Sequence, residues 1–383
     1  MSRQLNITII NHMMGTLFGG AENFDLNVAK ILRERGHNIR FVIGKSYSRV
    51  SRIPEDLSSF EIQYALFPYV SWISDKLGYS GRMRWFVSST LLHFDRRAFE
   101  LSAYRKLRND NWSDVYQICG RIFLAKRLEK KHPAIVWWPA TPSRIERKSL
   151  DKCSINAAGG IVLPELKKYC SNAHEVEMGI DVNFFVPRSQ MRKDNFIHFI
   201  FVGRVVKVKN LPFLIKGFNE ALKEKQNLIL HIVGNGQEKE NLLKMTHDLN
   251  PSERVIFHNH LYKDELLKAY QNADVFIITS DSETYFPNVA IEAMSCGLPV
   301  IATNVGGLKS DVLNGSAGFL IEPNDINSLK GKILFFAEHR DKIDEFGKNA
   351  REHIVKNYSW EKTATVMEEL FFEAIEKRKM LQN

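Results

Sequence analysis

Short apolar runs alternate with longer stretches in which apolar positions recur every three to four residues, along the whole chain. The segment "LNITIIN" reads as a strand. After the loop "HMMGTLFGG", the stretch "AENFDLNVAKILRERGHN" carries Ala21, Phe24, Val28 and Leu32 on one helical face. "IRFVIG" is a second strand. Strand, helix and strand with glycines at the first turn make a βαβ unit, which predicts a parallel sheet with helices on both faces.

The pattern restarts near residue 197. "FIHFIFVGR" is a strand, and Leu211, Leu214, Phe218 and Leu222 mark the next helical face. "LILHIVGNG", "RVIFHNH", "ADVFIITS" and "PVIATN" follow as further strands. Two such systems in tandem predict an α/β protein of two Rossmann-like domains with a cleft between them. The polar stretch "VPRSQMRKDN", residues 186 to 195, is the natural linker. A chain of 383 residues suits two cores better than one.

The composition is that of a globular protein, with 44% hydrophobic and 25% charged residues. No window reaches the roughly eighteen apolar residues of a membrane span, and "MSRQLNITII" lacks the design of a signal peptide, so a cytoplasmic protein is expected. Cys119, Cys153, Cys170 and Cys296 lie far apart without a C-x-x-C spacing, which argues against a metal cluster or a disulfide framework. The net charge of +9 favours an anionic partner, whether nucleic acid, a phosphorylated ligand or the inner face of a membrane. Residues 81 to 108 mix Arg and Lys with Trp85, Phe86, Phe94, Phe99 and Tyr104. Such a segment suits either a membrane interface or a helix packed on its own domain.

The chemistry-bearing motifs fall at the carboxyl ends of strands in the second half, where α/β folds bind ligands. "VGRVVKVKN" places Arg204 after a strand and Lys209 at the entry to a helix, a pair suited to a diphosphate. "IVGNGQE" supplies Gly234 and Gly236, which let a backbone or a ligand come close. "SDSETYFPNVAIEAMSCGLPV" is the most crowded segment: a strand end at Ser280, a loop with Glu283, and a helix entered through Pro287. Free amides of Asn288 and Val289 at that helix start would face an anion, and Glu292 one turn further in could accept from a ribose diol.

In order and at normal separations, "VGR…K", "IVGNG", "YKDELLKAYQNADVFIITSDSE", "FPNVAIEAMSCGLPVIATNVGG" and "GFLIEPND" resemble family-four retaining glycosyltransferases of the GT-B fold. The likeness is strong over residues 197 to about 325. "FGGAENFDLNVAKILRERGHNI" is similar to that family's glycine loop and first helix, "EMGIDVNFFVP" to its interdomain approach, and "GKNAREHIVKNYSWEKTATVMEELF" to its closing helices. The resemblance implies an acceptor-binding domain over residues 1–188, a donor domain over 189–355, and a helix over 356–383 returning to the first domain.

By the same resemblance Arg204 and Lys209 clamp the nucleotide diphosphate, and Glu292 holds the ribose. Phe286, Pro287, Asn288 and Val289 meet the phosphate and sugar, with Gly19, Gly20 and Gly234 close to the donor. In the family the first glutamate of an E-x(7)-E pattern faces the donor sugar. Here Glu283 and Glu292 are separated by eight residues and Thr284 stands at the strict position, so either the loop bulges and Glu283 serves, or Thr284 replaces a carboxylate. A histidine common in relatives' first domains is replaced in "AIVWWPATPSR" by Trp138, and His12 is the nearest alternative. His258 stands where a glycine is common in the base-binding stretch.

The implied reaction moves a hexosyl group from a UDP- or GDP-linked sugar to an acceptor hydroxyl, with the leaving phosphate taking the proton and no protein nucleophile. No D-x-D occurs, so no metal is expected. The charge and segment 81–108 suggest a lipid-linked or cell-surface saccharide as acceptor and peripheral attachment to an anionic membrane surface. A nucleotide-sugar epimerase of similar build is the alternative enzyme. A nucleic-acid-binding protein finds no recognition motif, and a dinucleotide oxidoreductase is disfavoured because "GTLFGGAEN" misspaces the G-x-G-x-x-G fingerprint.

Overall fold

The structure, a computed structural model, describes residues 3–14, 19–46, 55–70, 81–160, 162–189, 194–249, 253–283 and 286–382. The chain forms two compact units. One comprises Met1–Gly179 with Trp360–Asn383, and the other Ile180–Ser359.

In the first unit the strands are β1 (Asn6–Asn11), β2 (Asn38–Ser46), β3 (Glu61–Phe67), β4 (Val115–Cys119), β5 (Ala134–Trp137), β6 (Ile155–Ala158) and β7 (Ala173–Glu175). Its helices are α1 (Gly20–Glu34), α2 (Gly81–Leu107), α3 (Ile122–Leu128), α4 (Arg144–Arg147) and α5 (Val162–Lys167). The strands are parallel in the order β3-β2-β1-β4-β5-β6-β7. Ile7 pairs with Ile39 on one side and Val115 on the other, so the order reverses between β1 and β4.

The second unit carries β8 (Ile197–Val202), α6 (Leu211–Leu222), β9 (Leu228–Val233), α7 (Lys239–Asp248), β10 (Val255–His258), α8 (Lys263–Gln271) and β11 (Val275–Ile278). It continues with α9 (Asn288–Ser295), β12 (Val300–Thr303), α10 (Leu308–Asp311), β13 (Gly318–Ile321), α11 (Ile326–Glu338) and α12 (Arg340–Tyr358). The parallel order is β10-β9-β8-β11-β12-β13, which reverses between β8 and β11. Brief apolar strands covered by helices on both faces explain the near-continuous burial of β4, β5, β11 and β12.

Each sheet has a core on either face. In the first unit, Ile7 and Ile9 face one core with Phe24, Val28 and Leu32 of α1, while Ile10 and Val42 face the other with Phe99 and Leu107 of α2. The helical face read from the sequence is the buried one, with Ala21 partly buried at its edge. In the second unit Leu211, Leu214, Phe218 and Leu222 of α6 are all buried.

Helix α13 (Trp360–Gln382) belongs to the first unit. Trp360, Met367, Phe371 and Ala374 enter the same core as α1. Arg35 meets Glu368 at 2.6 Å and the His37 ring lies 3.0 Å from the other oxygen of that carboxylate. In the second unit, Arg351 of α12 donates to the carbonyls of Val182 at 2.8 Å and Ser295 at 2.7 Å, tying the entry strand segment to the end of α9.

The side chains of residues 81–89, including Trp85 and Phe86, lie outside the described residues. Over the rest of α2, Phe99, Ala103 and Leu107 are buried, while Phe94 and Leu101 are exposed. The Arg97 guanidinium lies over the Phe123 ring, 4.2 Å from its centroid. The aromatic side of the described part of α2 therefore packs at least partly on its own unit. Among the described residues no helix is long and apolar enough to cross a membrane.

Candidate active site

Two loops meet at the reversal of the second sheet. The first leaves β8 through Gly203 and Arg204 and ends at Asn210, which takes the left-handed conformation at φ 46° before α6 begins. The second leaves β11 and runs from Thr279 to α9. Thr279 Oγ1 donates to the Lys209 carbonyl at 3.1 Å, the Asp281 amide donates to the Val208 carbonyl at 2.9 Å, and Asn210 Nδ2 donates to Asp281 Oδ1 at 2.7 Å. These bonds hold Lys209 against the second loop. Its ammonium forms an ion pair with Glu283 Oε1, and Ser280 Oγ donates to that same oxygen at 2.5 Å.

Arg204 is exposed, and its side chain has no partner among the described residues. The two cations of the motif thus differ: Lys209 is held by a carboxylate, and Arg204 has no such partner among the described residues. Thr284 lies outside the described residues, so the structural account of the first acidic position concerns Glu283 alone.

Beyond that loop Phe286 is buried, with its ring 6.1 Å from Tyr358. Its side chain anchors the loop in the core. Pro287 is the N-cap of α9, in an extended conformation at ψ 137°. Its carbonyl accepts from Ala290 and Ile291, and the amides of Asn288 and Val289 have no partner among the described residues. Unpaired amides and the positive dipole end at a helix start favour an anion.

Glu292 lies one turn inside α9. Burial pushes its carboxyl up to about 7, against the opposing effect of the Tyr270 hydroxyl 2.9 Å from Oε2. Tyr270 is buried and also lies 3.2 Å from the Val289 carbonyl, so it fixes the rotamer of Glu292 and the first turn of α9 together.

Gly234 follows β9 at φ 139°, and a Cβ there would collide with the Gly203 carbonyl. The glycine serves the close approach of the β8 and β9 loops. His258, at the end of β10, joins a chain of imidazoles: its Nε2 is 3.0 Å from His231 Nδ1, and His231 Nε2 is 2.8 Å from His198 Nδ1. Burial and the nearby Lys239 lower the pKa of His258.

In the first unit, Gly19 and Gly20 begin α1, and the Gly19 amide donates to Glu22 Oε2 at 3.0 Å. That carboxylate already fills part of the anion-binding capacity of the helix start. Trp138 is buried and donates to Asn156 at 2.9 Å, which makes it a core residue. His12 follows β1 and packs in the other core against Phe67 and Phe99.

The sequence marks Ser280 only as a strand end and does not single out Tyr270 or Gly306. Gly306 has φ 46°, its Cβ position would collide with the Glu283 carbonyl, and the Gly307 amide donates to that carbonyl at 3.0 Å. The glycine pair of "NVGG" was the available signal. Gly306→Ala is expected to destabilise the protein by about 2 kcal/mol through a strained φ and displacement of Glu283. Chemical denaturation checks the figure, and an unchanged unfolding midpoint would refute it.

Cations and a helix start thus meet at the order reversal of a parallel sheet, which is where α/β folds bind ligands. Residues 164–353 match the family model described as glycosyl transferases group 1. Just under half of the chain is thus similar to this group 1 glycosyltransferase family, and the architecture is the GT-B fold. It is 28% identical over 209 residues to D-inositol 3-phosphate glycosyltransferase of Paenarthrobacter aurescens, an alignment covering 51% of this chain and 50% of the relative. The match thus spans about half of that relative's length. It is 23% identical over 376 residues to N-acetyl-alpha-D-glucosaminyl L-malate synthase of Bacillus anthracis, covering 93% and 94% of the two chains. The solved structure of Anabaena HepE in complex with UDP and glucose superposes with a TM-score of 0.67 at 16% identity, covering 96% of this chain and 99% of that one.

Proposed function

We propose that the second unit binds a UDP- or GDP-linked sugar and that the protein transfers the sugar, with retention of configuration, to a hydroxyl of a saccharide acceptor. Lys209 carries this reading: a cation braced by Glu283 and Ser280, at a sheet reversal it shares with Arg204 and the open amides of α9. A solved relative in fold holds UDP and glucose.

In the proposed reaction the bond from the anomeric carbon to the diphosphate oxygen breaks while the acceptor oxygen bonds to that carbon on the same face. The acceptor proton passes to the leaving phosphate oxygen. Negative charge grows on the diphosphate, so Lys209, Arg204 and the amides of Asn288 and Val289 bind the transition state more strongly than the ground state. Glu283 uses its remaining oxygen toward the donor sugar, and Glu292 accepts from the ribose hydroxyls. No metal is assigned a role, in keeping with the lack of a D-x-D in the sequence.

The first unit takes the acceptor in this reading, and a lipid-linked or cell-surface saccharide suits the +9 charge. The relatives reported above lend no support to the epimerase or nucleic-acid alternatives.

A thermal-shift series with UDP, GDP and their sugar conjugates tests the donor site. One base series is expected to raise the midpoint of the wild type and to lose that effect in Glu292→Ala, because a ligand that binds only the folded state stabilises it. A wild type indifferent to every nucleotide sugar would overturn the reading.

A further inference from the structure

The first sheet has its own reversal, between β1 and β4, and its carboxyl end holds a group of polar atoms that lack partners. His12 follows β1 and is 2% exposed, yet neither ring nitrogen has a hydrogen-bond partner among the described residues. Its ring is wedged between Phe67 at 4.5 Å and Phe99 at 4.9 Å, so the imidazole cannot turn away to find one. Arg121 follows β4. Its Nη1 donates to the Gly120 carbonyl at 2.9 Å, while its buried Nε has no partner. Arg96, one turn before Phe99 on α2, also has a buried Nε without a partner.

Buried polar groups are nearly always satisfied, so several orphans in one place call for a missing occupant. The charges of Arg121 and Arg96 both act on His12 and, after burial itself, lower its pKa. Two guanidinium groups and a neutral imidazole that can offer one N–H form a complementary cradle for an oxyanion. Two carboxylates oppose this charge, and both are engaged elsewhere: Glu100 pairs with Arg97 at 3.0 Å, and Glu146 accepts from the Ser143 amide at 2.8 Å. A water molecule would satisfy hydrogen bonds there without balancing the two cations.

We propose that His12, Arg96 and Arg121 form an anion subsite in the first unit that receives a phosphate or carboxylate group of the acceptor. The assignment of the anion to the acceptor rests on the glycosyl-transfer reading above; the subsite itself does not. It confines the acceptor to anionic molecules, whether soluble sugar phosphates or lipid phosphates.

The test is an NMR titration of the full chain with histidine ring labels, the His12 signal being assigned by its loss in His12→Gln. Inorganic phosphate is expected to shift the His12 resonances and raise the His12 pKa by about one unit, since a bound anion favours the imidazolium. Arg96→Gln and Arg121→Gln are each expected to weaken phosphate binding about tenfold or more. Glycerol phosphate and phosphatidylcholine vesicles carrying a prenyl phosphate then separate the two sources, because a response to one alone names the acceptor class. A His12 signal indifferent to phosphate in the wild type would overturn the proposal, as would a response unchanged in both arginine variants. The readout needs no sugar transfer, so a responsive His12 in a protein that binds no nucleotide sugar would keep the subsite and remove the glycosyl-transfer reading.

Discussion

Replacing Lys209 with alanine is expected to lower kcat/KM for sugar transfer by about two to three orders of magnitude, the usual loss when one preorganised stabiliser of transition-state charge is removed. Two effects combine in that loss. On the proposed reading the ammonium no longer meets the leaving diphosphate, and Glu283, whose Oε1 is held by Lys209 and by Ser280 at 2.5 Å, loses its cation beside an anionic donor. Glu283→Gln in the Lys209→Ala background removes the second effect and should recover part of the activity. Residues in direct contact behave non-additively, so the double variant should be more active than the product of the two single losses. Steady-state kinetics of the four proteins checks this. Full activity in Lys209→Ala would exclude the cation from the reaction.

Donor affinity is expected to rise with pH through about 7. Burial pushes the Glu292 carboxyl to about 7, and only the ionised form can accept from both ribose hydroxyls. A nucleotide sugar is the right probe, because its diphosphate is esterified at both ends. Affinity should increase severalfold between about pH 6 and 8 in the wild type and stay flat in Glu292→Gln.

Stability should run the other way. The folded state holds a proton on Glu292 at pH values where the unfolded chain, with a carboxyl near 4.5, has released it. Stability of the second unit therefore falls as pH rises from about 4.5 to 7 and levels off above, a loss on the order of 3 kcal/mol for this one group. Asp25 is subject to the same logic in the first unit: burial raises it to about 7, despite bonds from Asn11 at 2.8 Å and Gln117 at 2.5 Å. Denaturation of wild type and Glu292→Gln across this range checks the sign, and a wild-type stability that rises over the same interval would refute it.

The parallel sheets were legible because periodicity records burial directly. Leu211, Leu214, Phe218 and Leu222 share a helical face in the sequence and are all buried in α6. The start of α9 was legible for a similar local reason, since Pro287 restricts the backbone where the helix begins. What a single sequence does not carry is the pairing of side chains from different loops. Lys209 and Glu283 meet because the loops after β8 and β11 are tied through Thr279, Asp281 and Asn210, and that register depends on the whole sheet. Gly306 was missed for the same reason, as the backbone it accommodates belongs to Glu283. His12 looked like a lone loop histidine because its lack of partners becomes visible only once Phe67 and Phe99 close over it.

Helix α13 supplies Trp360, Met367, Phe371 and Ala374 to a core otherwise built from residues before Gly179. On the ribosome those two parts emerge with the whole of Ile180–Ser359 between them, so the first unit waits with an open apolar face while the second is made and can fold. The unit that starts synthesis first is therefore the last to be completed, and its assembly is timed by the arrival of Trp360 and the turns that follow.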